Sequence, residues 1–259
     1  MMATEALPVP GTKAGTGWLV LGASVLALAM SCGRTTPRPA PQVFIWSWQR
    51  PDDLAFIDPE RVGVAFLATT IRLDPRGVEV LPRLHPLRMP PETSLIAVVR
   101  MEVTGPGPSD GSEAHEEVLR CLVDLASLPH LGGLQIDFDA TSSQRAYYRS
   151  LLLALRPRLP AGVGLSITAL ASWCLDDAWI EGLPVDEAVP MLFRMGRDGP
   201  SIRAALASGR DFGAEMCRSS LGLSTDEPAP VVRSGRRRFV FHTSSWTQSA
   251  VRQVLEAQS

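Results

Sequence analysis

Lysine is almost missing from this sequence. Lys13 is the only lysine, and it precedes an apolar segment that we expect to be removed from the mature chain. A chain without lysine cannot form a Schiff base with a carbonyl substrate or with pyridoxal phosphate. Lysine-dependent aldolase and pyridoxal chemistry are therefore excluded for the mature protein.

Histidine and cysteine are also scarce, and neither forms a metal-binding pattern. The sequence has four of each, and none of the cysteines lies near a histidine at a spacing typical of a zinc site. We therefore expect no metal ion and no other cofactor. The formal net charge is only −2, and the one basic run, residues 236–238, is expected in a solvated turn. A nucleic-acid partner is not expected.

The N-terminal segment has the pattern of an export signal. The apolar run from Trp18 to Met30 is shorter than the about 20 residues of a membrane span, but it suits the apolar core of a signal peptide. Cys32 follows the small residue Ser31 at the end of this run, which resembles the lipobox of bacterial lipoproteins. We predict a lipoprotein signal peptide over residues 1–31 and lipid attachment at Cys32. An ordinary signal peptide with a chance cysteine is the alternative.

A proline-rich segment follows the predicted signal. Residues 32–42 are expected to form an extended tether, and residues 43–259 to form one domain. This arrangement predicts a membrane-anchored lipoprotein of the bacterial cell envelope, on its periplasmic or extracellular face. Three cysteines remain in the domain, Cys121, Cys174 and Cys217, and they allow at most one internal disulfide. The sequence does not choose among the three possible pairs.

The domain alternates between strand and helix patterns, which is typical of an α/β barrel. Strands are predicted over residues 43–48, 62–73, 95–103, around 134–140, 163–173, 188–195, 219–224 and 239–243. Helices are predicted over residues 112–128, 142–155, 176–182, 200–208 and 245–257. The second strand has no helix after it, and the seventh strand is weak. We predict a (βα)8 TIM-type barrel that is lean or partly incomplete.

The fourth predicted strand carries an unusual row of polar residues. Because side chains alternate along a strand, Gln135, Asp137 and Asp139 share one face, and apolar residues occupy the other. Buried carboxylates without partners are costly, but the carboxyl end of a barrel strand opens into the site where such barrels perform their chemistry. The alternative is that Asp139, Thr141 or Ser142 only caps the next helix, which would explain Asp139 but not the other two polar residues.

Other predicted strand ends carry residues that suit a sugar site. Trp46 with Trp48 ends the first strand, Trp173 the fifth, Arg194 the sixth and His242 the eighth. Aromatic faces suit the apolar side of a pyranose ring, whereas carboxylates and arginine suit its hydroxyl groups. Each residue also has a plain structural interpretation, since tryptophans are usually packing residues and Arg100 with Glu102 at the end of the third strand suits an ion pair.

The segment from Gly132 to Asp139 resembles the fourth-strand signature of family-18 glycoside hydrolases, the chitinases and their relatives, which reads D-G-x-D-x-D-x-E. Asp137 matches the last aspartate, and Asp139 stands where that family has its glutamate acid. Gln135 replaces the middle aspartate. Residues 191–193 resemble the sixth-strand Met-x-Tyr of the family, with Met191 matching and a phenylalanine in place of the tyrosine. The resemblance implies catalytic roles for Asp139 and Asp137, and leaves the substrate-assisted mechanism of the chitinases without its usual residues.

Over the whole predicted domain, the sequence is more similar to an uncharacterised bacterial family, domain of unknown function 3142. The landmarks are the stretches VFIWSWQR, VVRMEV, LQIDFDA and VPMLFRMG. That resemblance implies a glycosidase-like barrel and no particular activity.

Three hypotheses for function follow from these patterns. The first is a glycan-acting, glycoside hydrolase-like lipoprotein with Asp139 as general acid and Asp137 beside it. Its substrate-binding residues would be Gln135, Trp46, Trp173, Met191, Arg194 and His242. The second is a non-catalytic barrel that binds a glycan, and the third is a scaffold lipoprotein that binds an envelope protein.

Overall fold

The structure is a computed structural model that describes residues 40–257. The predicted signal peptide over residues 1–31, the predicted lipid attachment at Cys32 and most of the predicted tether lie outside the described residues. Among the described residues, no helix is long and apolar enough to cross a bilayer.

The described chain contains five α-helices and eleven strands in an alternating order. The strands are β1 (Val43–Ser47), β2 (Asp52–Asp53), β3 (Val62–Asp74), β4 (Gly77–Pro82), β5 (Leu87–Arg88), β6 (Leu95–Val103), β7 (Leu131–Asp137), β8 (Gly164–Leu170), β9 (Glu187–Met191), β10 (Ser220–Ser224) and β11 (Arg237–Phe241). The helices are α1 (Glu113–Ala126), α2 (Arg145–Leu155), α3 (Ala171–Leu175), α4 (Gly199–Ala207) and α5 (Gln248–Glu256). Short 3-10 turns cover Ser142–Gln144, Arg156–Arg158, Ala178–Ile180, Gly196–Asp198 and Glu215–Cys217.

Eight parallel strands close into a barrel. Their order around the barrel is β1, β3, β6, β7, β8, β9, β10 and β11, and β1 closes the ring by pairing with both β3 and β11. In the closing register Val43 lies opposite Val62 on one side and Arg238 on the other. The predicted TIM-type barrel is therefore confirmed. β4 folds back antiparallel on the part of β3 that extends beyond β1.

The barrel is lean because three of its connections have no α-helix. Helices α1 to α4 follow β6, β7, β8 and β9 in turn, and α5 follows β11. Within the described residues, the connections after β1, β3 and β10 contain strands, turns or loop instead. Prolines at residues 82, 86, 90 and 91 disfavour a helix after β3, because proline has no amide hydrogen for the helix interior.

Alternating side chains of the barrel strands build two clusters outside the barrel and one inside it. On β7, Leu134 and Ile136 point outward and are fully buried against the helix layer, where they join Tyr148 of α2. Inside the barrel, aromatic and branched side chains fill the lower layers, and the rings of Phe44 and Phe239 stack at 5.2 Å. The interior is thus filled near its amino end, and open space remains at the carboxyl end, where barrels of this type carry their sites.

One disulfide ties the outer layer together. Cys174 of α3 bonds to Cys217 in the turn before β10, with 5.8 Å between their Cα atoms. Cys121 of α1 is a free, half-buried thiol.

Two strands end earlier than their sequence pattern predicts. The fifth barrel strand stops at Leu170, and α3 begins at once and carries Trp173. The sixth stops at Met191, and Arg194 beyond it adopts a positive φ of 52°, which a continuing strand cannot contain. In both cases the apolar run continues past the strand into a helix or a turn whose side chains are also buried, so periodicity alone does not mark the end of the strand.

Candidate functional site

A cleft opens at the carboxyl end of the barrel. Its volume is about 400 Å³, within the range of pockets that bind small molecules. Its walls come from six of the eight barrel strands or the residues that directly follow them. The lining residues are Trp46, Trp48, Val98, Arg100, Asp137, Asp139, Thr168, Leu170, Met191, Phe193, Arg194 and Phe241.

One arginine holds the two candidate catalytic carboxylates together. Nη1 of Arg100 donates to Oδ2 of Asp137 at 3.1 Å and to Oδ2 of Asp139 at 3.0 Å. β6 and β7 are neighbours, and their register sets Arg100 directly opposite Asp137. The pairing therefore follows from the strand register, and the two carboxylates share one cation.

The two carboxylates differ in exposure. The side chain of Asp139 is 52% exposed at the mouth of the cleft, whereas that of Asp137 is 10% exposed. Oδ1 of Asp137 also accepts a hydrogen bond from the Thr168 hydroxyl at 2.7 Å. Burial raises the pKa of Asp137, although Arg100 and Thr168 act in the opposite direction. Asp137 is thus the carboxyl group of the pair that holds a proton more readily than usual.

Asp139 does not serve as the cap of the following helical turn. The strand ends at Asp137, and the chain turns so that the amide of Ala140 donates to the carbonyl of Phe138. Thr141 is the N-cap of that turn, and its amide donates to the side chain of Gln144 at 2.8 Å. The capping interpretation of Asp139 is therefore not needed, and its carboxylate is available to the cleft.

Aromatic rings form the floor and one side of the cleft. The rings of Phe193 and Phe241 stack nearly parallel, with 5.7 Å between their centroids and 7° between their planes. Trp46 packs against Phe193 at 6.3 Å, and Trp48 meets Phe241 edge-on at 6.3 Å. The cleft therefore joins an aromatic surface to a polar wall of carboxylates and arginine.

Hydrogen bonds to Trp46 hold the floor of the cleft in place, from inside the barrel and from its outer layer. Nε1 of Trp46 donates to the side-chain oxygen of Gln135 at 2.9 Å, and the Gln135 amide nitrogen donates to Ser166 at 3.3 Å. The carbonyl of Trp46 accepts from Nε1 of Trp246 at 2.8 Å. Gln135 is fully buried, so it supports the floor and does not line the cleft.

The structure brings five of the eight residues predicted for the site to the cleft and places three elsewhere. Asp137, Asp139, Trp46, Met191 and Arg194 line the cleft together, and Gln135 lies directly beneath it. Trp173 and His242 do not line it.

Trp173 lies in the helix layer on the outside of the barrel. It is 4% exposed, and its ring meets that of Trp179 edge-on at 4.9 Å. Because α3 begins right after β8, the side chain turns away from the barrel mouth. Trp246, the other tryptophan near a strand end, is also buried and packs beside α5. Neither ring offers a platform to a ligand in the cleft.

His242 lies beside the cleft, directly after Phe241. Its Nδ1 is 2.6 Å from the Thr225 hydroxyl, and its ring packs on Trp246 at 4.9 Å. These contacts hold the imidazole toward the loop after β10, which explains its absence from the lining.

The lining residues that were not predicted as part of the site include Arg100, Thr168 and Phe241. The sequence suggested an ion pair between Arg100 and Glu102, but Glu102 pairs instead with Arg72 on the neighbouring strand at 2.8 Å. The alternation of side chains along a strand could have predicted that Arg100 points into the barrel, because Arg100 follows Val98 by two positions and shares its inward face. The partner of Arg100 depends on the register between strands, which the sequence does not show.

The described residues hold no group of three or more His, Cys, Asp or Glu side chains in a metal-binding arrangement. In the polar wall of the cleft, Arg100 pairs with both carboxylates and the Thr168 hydroxyl donates to Asp137.

Comparison with known proteins agrees with the domain family recognised above. No curated protein matches the chain. Among solved structures, the chain is similar to the spore cortex-lytic enzyme SleL of Bacillus cereus, at 14% identity and a TM-score of 0.44; the match covers 70% of this chain and 51% of that one. It thus spans about half the length of that enzyme. The family model described as "Domain of unknown function (DUF3142)" matches residues 92–191, which contain both candidate carboxylates and Arg100, so the resemblance to this family is confirmed over that part of the chain.

Proposed function

We propose that the barrel acts on a glycan, which it binds in the cleft at the carboxyl end. The observation that carries this proposal is the composition of the cleft, where stacked aromatic rings adjoin a wall of two carboxylates and an arginine. Sugars have apolar ring faces and hydroxyl edges, so a site of this kind contacts both at once. The resemblance of the β7 segment to the chitinase signature supports the same substrate class.

In the hydrolytic form of this proposal, Asp139 is the general acid. It is the more exposed carboxyl group, it stands at the mouth, and it occupies the position of the family-18 acid. The acid gives its proton to the glycosidic oxygen as the bond from that oxygen to the anomeric carbon breaks. Water then supplies a hydroxyl group to the anomeric carbon, and the remaining proton of that water restores the acid.

Asp137 and Arg100 position Asp139 in this scheme. Arg100 binds both carboxylates through one nitrogen, so movement of either carboxylate changes the environment of the other. Thr168 holds the far oxygen of Asp137 and keeps that carboxyl group from rotating. The side chain of Asp139 is shorter than the glutamate of the resembling family, so the glycosidic oxygen has to approach the wall more closely.

A non-catalytic glycan-binding barrel is the second candidate function. The observation that favours it is the pairing of Asp139 with Arg100 at 3.0 Å, because this carboxylate is already engaged by a cation of the protein itself. In that case the wall recognises hydroxyl groups and performs no chemistry.

We also propose that residues 43–259 form one domain that is tethered to the cell envelope through Cys32. The support is the pattern of an apolar run, a small residue and a cysteine, followed by a proline-rich segment.

A screen of glycans with the wild-type protein tests the proposed function. The panel contains peptidoglycan fragments, chitin oligosaccharides and acidic and neutral envelope polysaccharides, and both binding and release of reducing ends are measured. Turnover supports the enzyme, and binding without turnover supports the binding barrel. If no glycan is bound or cut, the glycan proposal is wrong and the scaffold hypothesis gains support.

A further inference from the structure

The Arg194 side chain is a cation that lines the cleft and has no anionic partner among residues 40–257. Its guanidinium lies over the ring of Phe241, 5.2 Å from the centroid, and lines the cleft. No carboxylate of residues 40–257 lies within ion-pair distance of it. Arg100, the other lining arginine, is already engaged by Asp137 and Asp139. The cleft therefore contains one cation whose charge is not neutralised by any carboxylate of the described residues.

The backbone at Arg194 is held in a conformation that its residue type disfavours. Its φ is 52°, and His130 is the only other non-glycine residue with positive φ in the described part of the chain. A side chain with a Cβ rarely adopts this conformation unless the surrounding structure imposes it, and such residues cluster at ligand sites. The left-handed turn directs the chain after β9 so that Arg194 reaches the aromatic surface.

Glu227 imposes this conformation and leaves the guanidinium free. One oxygen of Glu227 accepts a hydrogen bond from the backbone amide of Arg194 at 2.9 Å. The other oxygen pairs with Nη2 of Arg203 at 2.9 Å. Glu227 thus fixes the backbone of Arg194, while its charge is balanced by a different arginine. The same arrangement could have paired Glu227 with the Arg194 side chain, but the structure does not show that pairing.

We infer that the cleft takes a glycan that carries a carboxylate, such as a uronic acid or another acidic sugar, and that Arg194 binds this carboxylate. This inference rests on the proposed function and narrows its substrate class. A planar guanidinium offers two parallel N–H groups that match the two oxygens of a carboxylate. The Arg194 guanidinium lies over the ring of Phe241, and Phe241 stacks on Phe193, which belongs to the floor of the cleft. A sugar on this floor would therefore lie beside the guanidinium.

The position of Asp137 and Asp139 explains why we place the carboxylate of the glycan near Arg194 and not elsewhere in the cleft. Asp137 ends β7 and Asp139 follows it, whereas Arg194 follows β9, and β8 lies between these two strands. An anionic substituent next to the aspartates would be repelled by them. At Arg194 it meets a cation, so the cleft orients an acidic glycan in one direction.

The test uses a soluble polyuronate and the same polymer after chemical reduction of its carboxyl groups, with binding to each measured at low and high salt. Variants Arg194→Gln and Arg194→Lys are compared with Arg197→Gln, which changes an exposed arginine three residues away that does not line the cleft. We expect wild type and Arg197→Gln to bind the polyuronate about tenfold more tightly than the reduced polymer, as a charge-assisted hydrogen bond typically gives. Arg194→Gln should lose this preference, Arg194→Lys should keep part of it, and high salt should weaken it.

The outcomes separate this inference from the proposed function. Equal binding of both polymers by the wild type, or an unchanged preference in Arg194→Gln, overturns the acidic substrate and leaves a glycan site intact. A loss of preference in Arg197→Gln equal to that in Arg194→Gln also overturns it, because the effect would then be general surface charge. If neither these polymers nor any glycan of the panel is bound, both the inference and the proposed function are wrong.

Discussion

The disulfide between Cys174 and Cys217 gives a prediction whose size follows from the structure. It links α3 to the turn before β10, across a sequence separation of 43 residues. Closing a loop of that length in the unfolded chain corresponds to roughly 4 kcal/mol of stabilisation in the chain-entropy description. For a domain of this size, that free energy corresponds to a shift in Tm of about 8–16 °C. Reduction of the native protein should therefore lower its Tm by an amount in this range.

Thermal unfolding of the oxidised and reduced wild type measures the effect without changing any side chain. The double variant Cys174→Ala/Cys217→Ala should unfold at or below the temperature of the reduced wild type, because both sulfurs are buried and their removal also costs packing. Cys121→Ala is the matched control, since Cys121 is a free thiol. It should keep its sensitivity to reductant. A reduced wild type with an unchanged Tm, or three titratable thiols in the oxidised domain after denaturation, would refute the reasoning.

Two further predictions concern the buried carboxyl group and the predicted anchor. Because the folded-state pKa of Asp137 is raised, its favourable contribution to stability is present below the ordinary carboxyl value of 3.8 and is lost as the pH rises through the folded-state pKa. The Tm of Asp137→Asn relative to that of the wild type should therefore increase as the pH is raised from acid to neutral. A difference that is flat or moves the other way would contradict the burial argument, and Asp124→Asn, on the exposed side of α1, should show no such trend. Separately, Cys32→Ala should release the protein from membranes in cell fractionation, and retention of a membrane-bound domain without a signal helix would count against lipidation.

Much of the fold was readable from the sequence because its signals are local. The strand patterns, rich in β-branched and aromatic residues, and the apolar helix faces depend on neighbouring residues, and the eight barrel strands lie close to their predicted positions. The absence of a helix after β3 was also predictable, because the prolines in that connection disfavour a helix.

The strand ends and side-chain partners were less readable because they depend on distant parts of the chain. Trp173 was predicted for the site from its place in an apolar run, but the early start of α3 turns it into the outer layer. Arg100 was read as a partner of Glu102, although the register between β6 and β7 pairs it with Asp137. The disulfide was undecided for the same reason. Its two cysteines meet only when the connections after β8 and β9 are both folded.

The candidate site was predictable in part, because some of its features depend on neighbouring residues and others on distant parts of the chain. The alternation of Gln135, Asp137 and Asp139 marked the polar face of β7 correctly, because a strand has a fixed period of two. The strand itself ends at Asp137, however, and Gln135 lies under the floor bonded to Trp46. The same alternating pattern therefore contains three different residues: Gln135 supports the floor, Asp137 is a buried carboxyl group and Asp139 is an exposed one. They differ in how deep each lies in the barrel, which the pattern does not show.

The most direct test of the central claim is the rate at which Asp139→Asn cleaves a glycan that the wild type cleaves. Asparagine keeps the size of the side chain but cannot donate the proton, so the rate should fall by about 10²–10⁴-fold, the usual contribution of general acid catalysis. Binding of the same glycan should persist, because the aromatic floor is unchanged, and the surface variant Asp124→Asn should cleave at the wild-type rate. Cleavage by Asp139→Asn within a few-fold of the wild-type rate would contradict the account of this cleft as the site of a carboxylate-catalysed reaction.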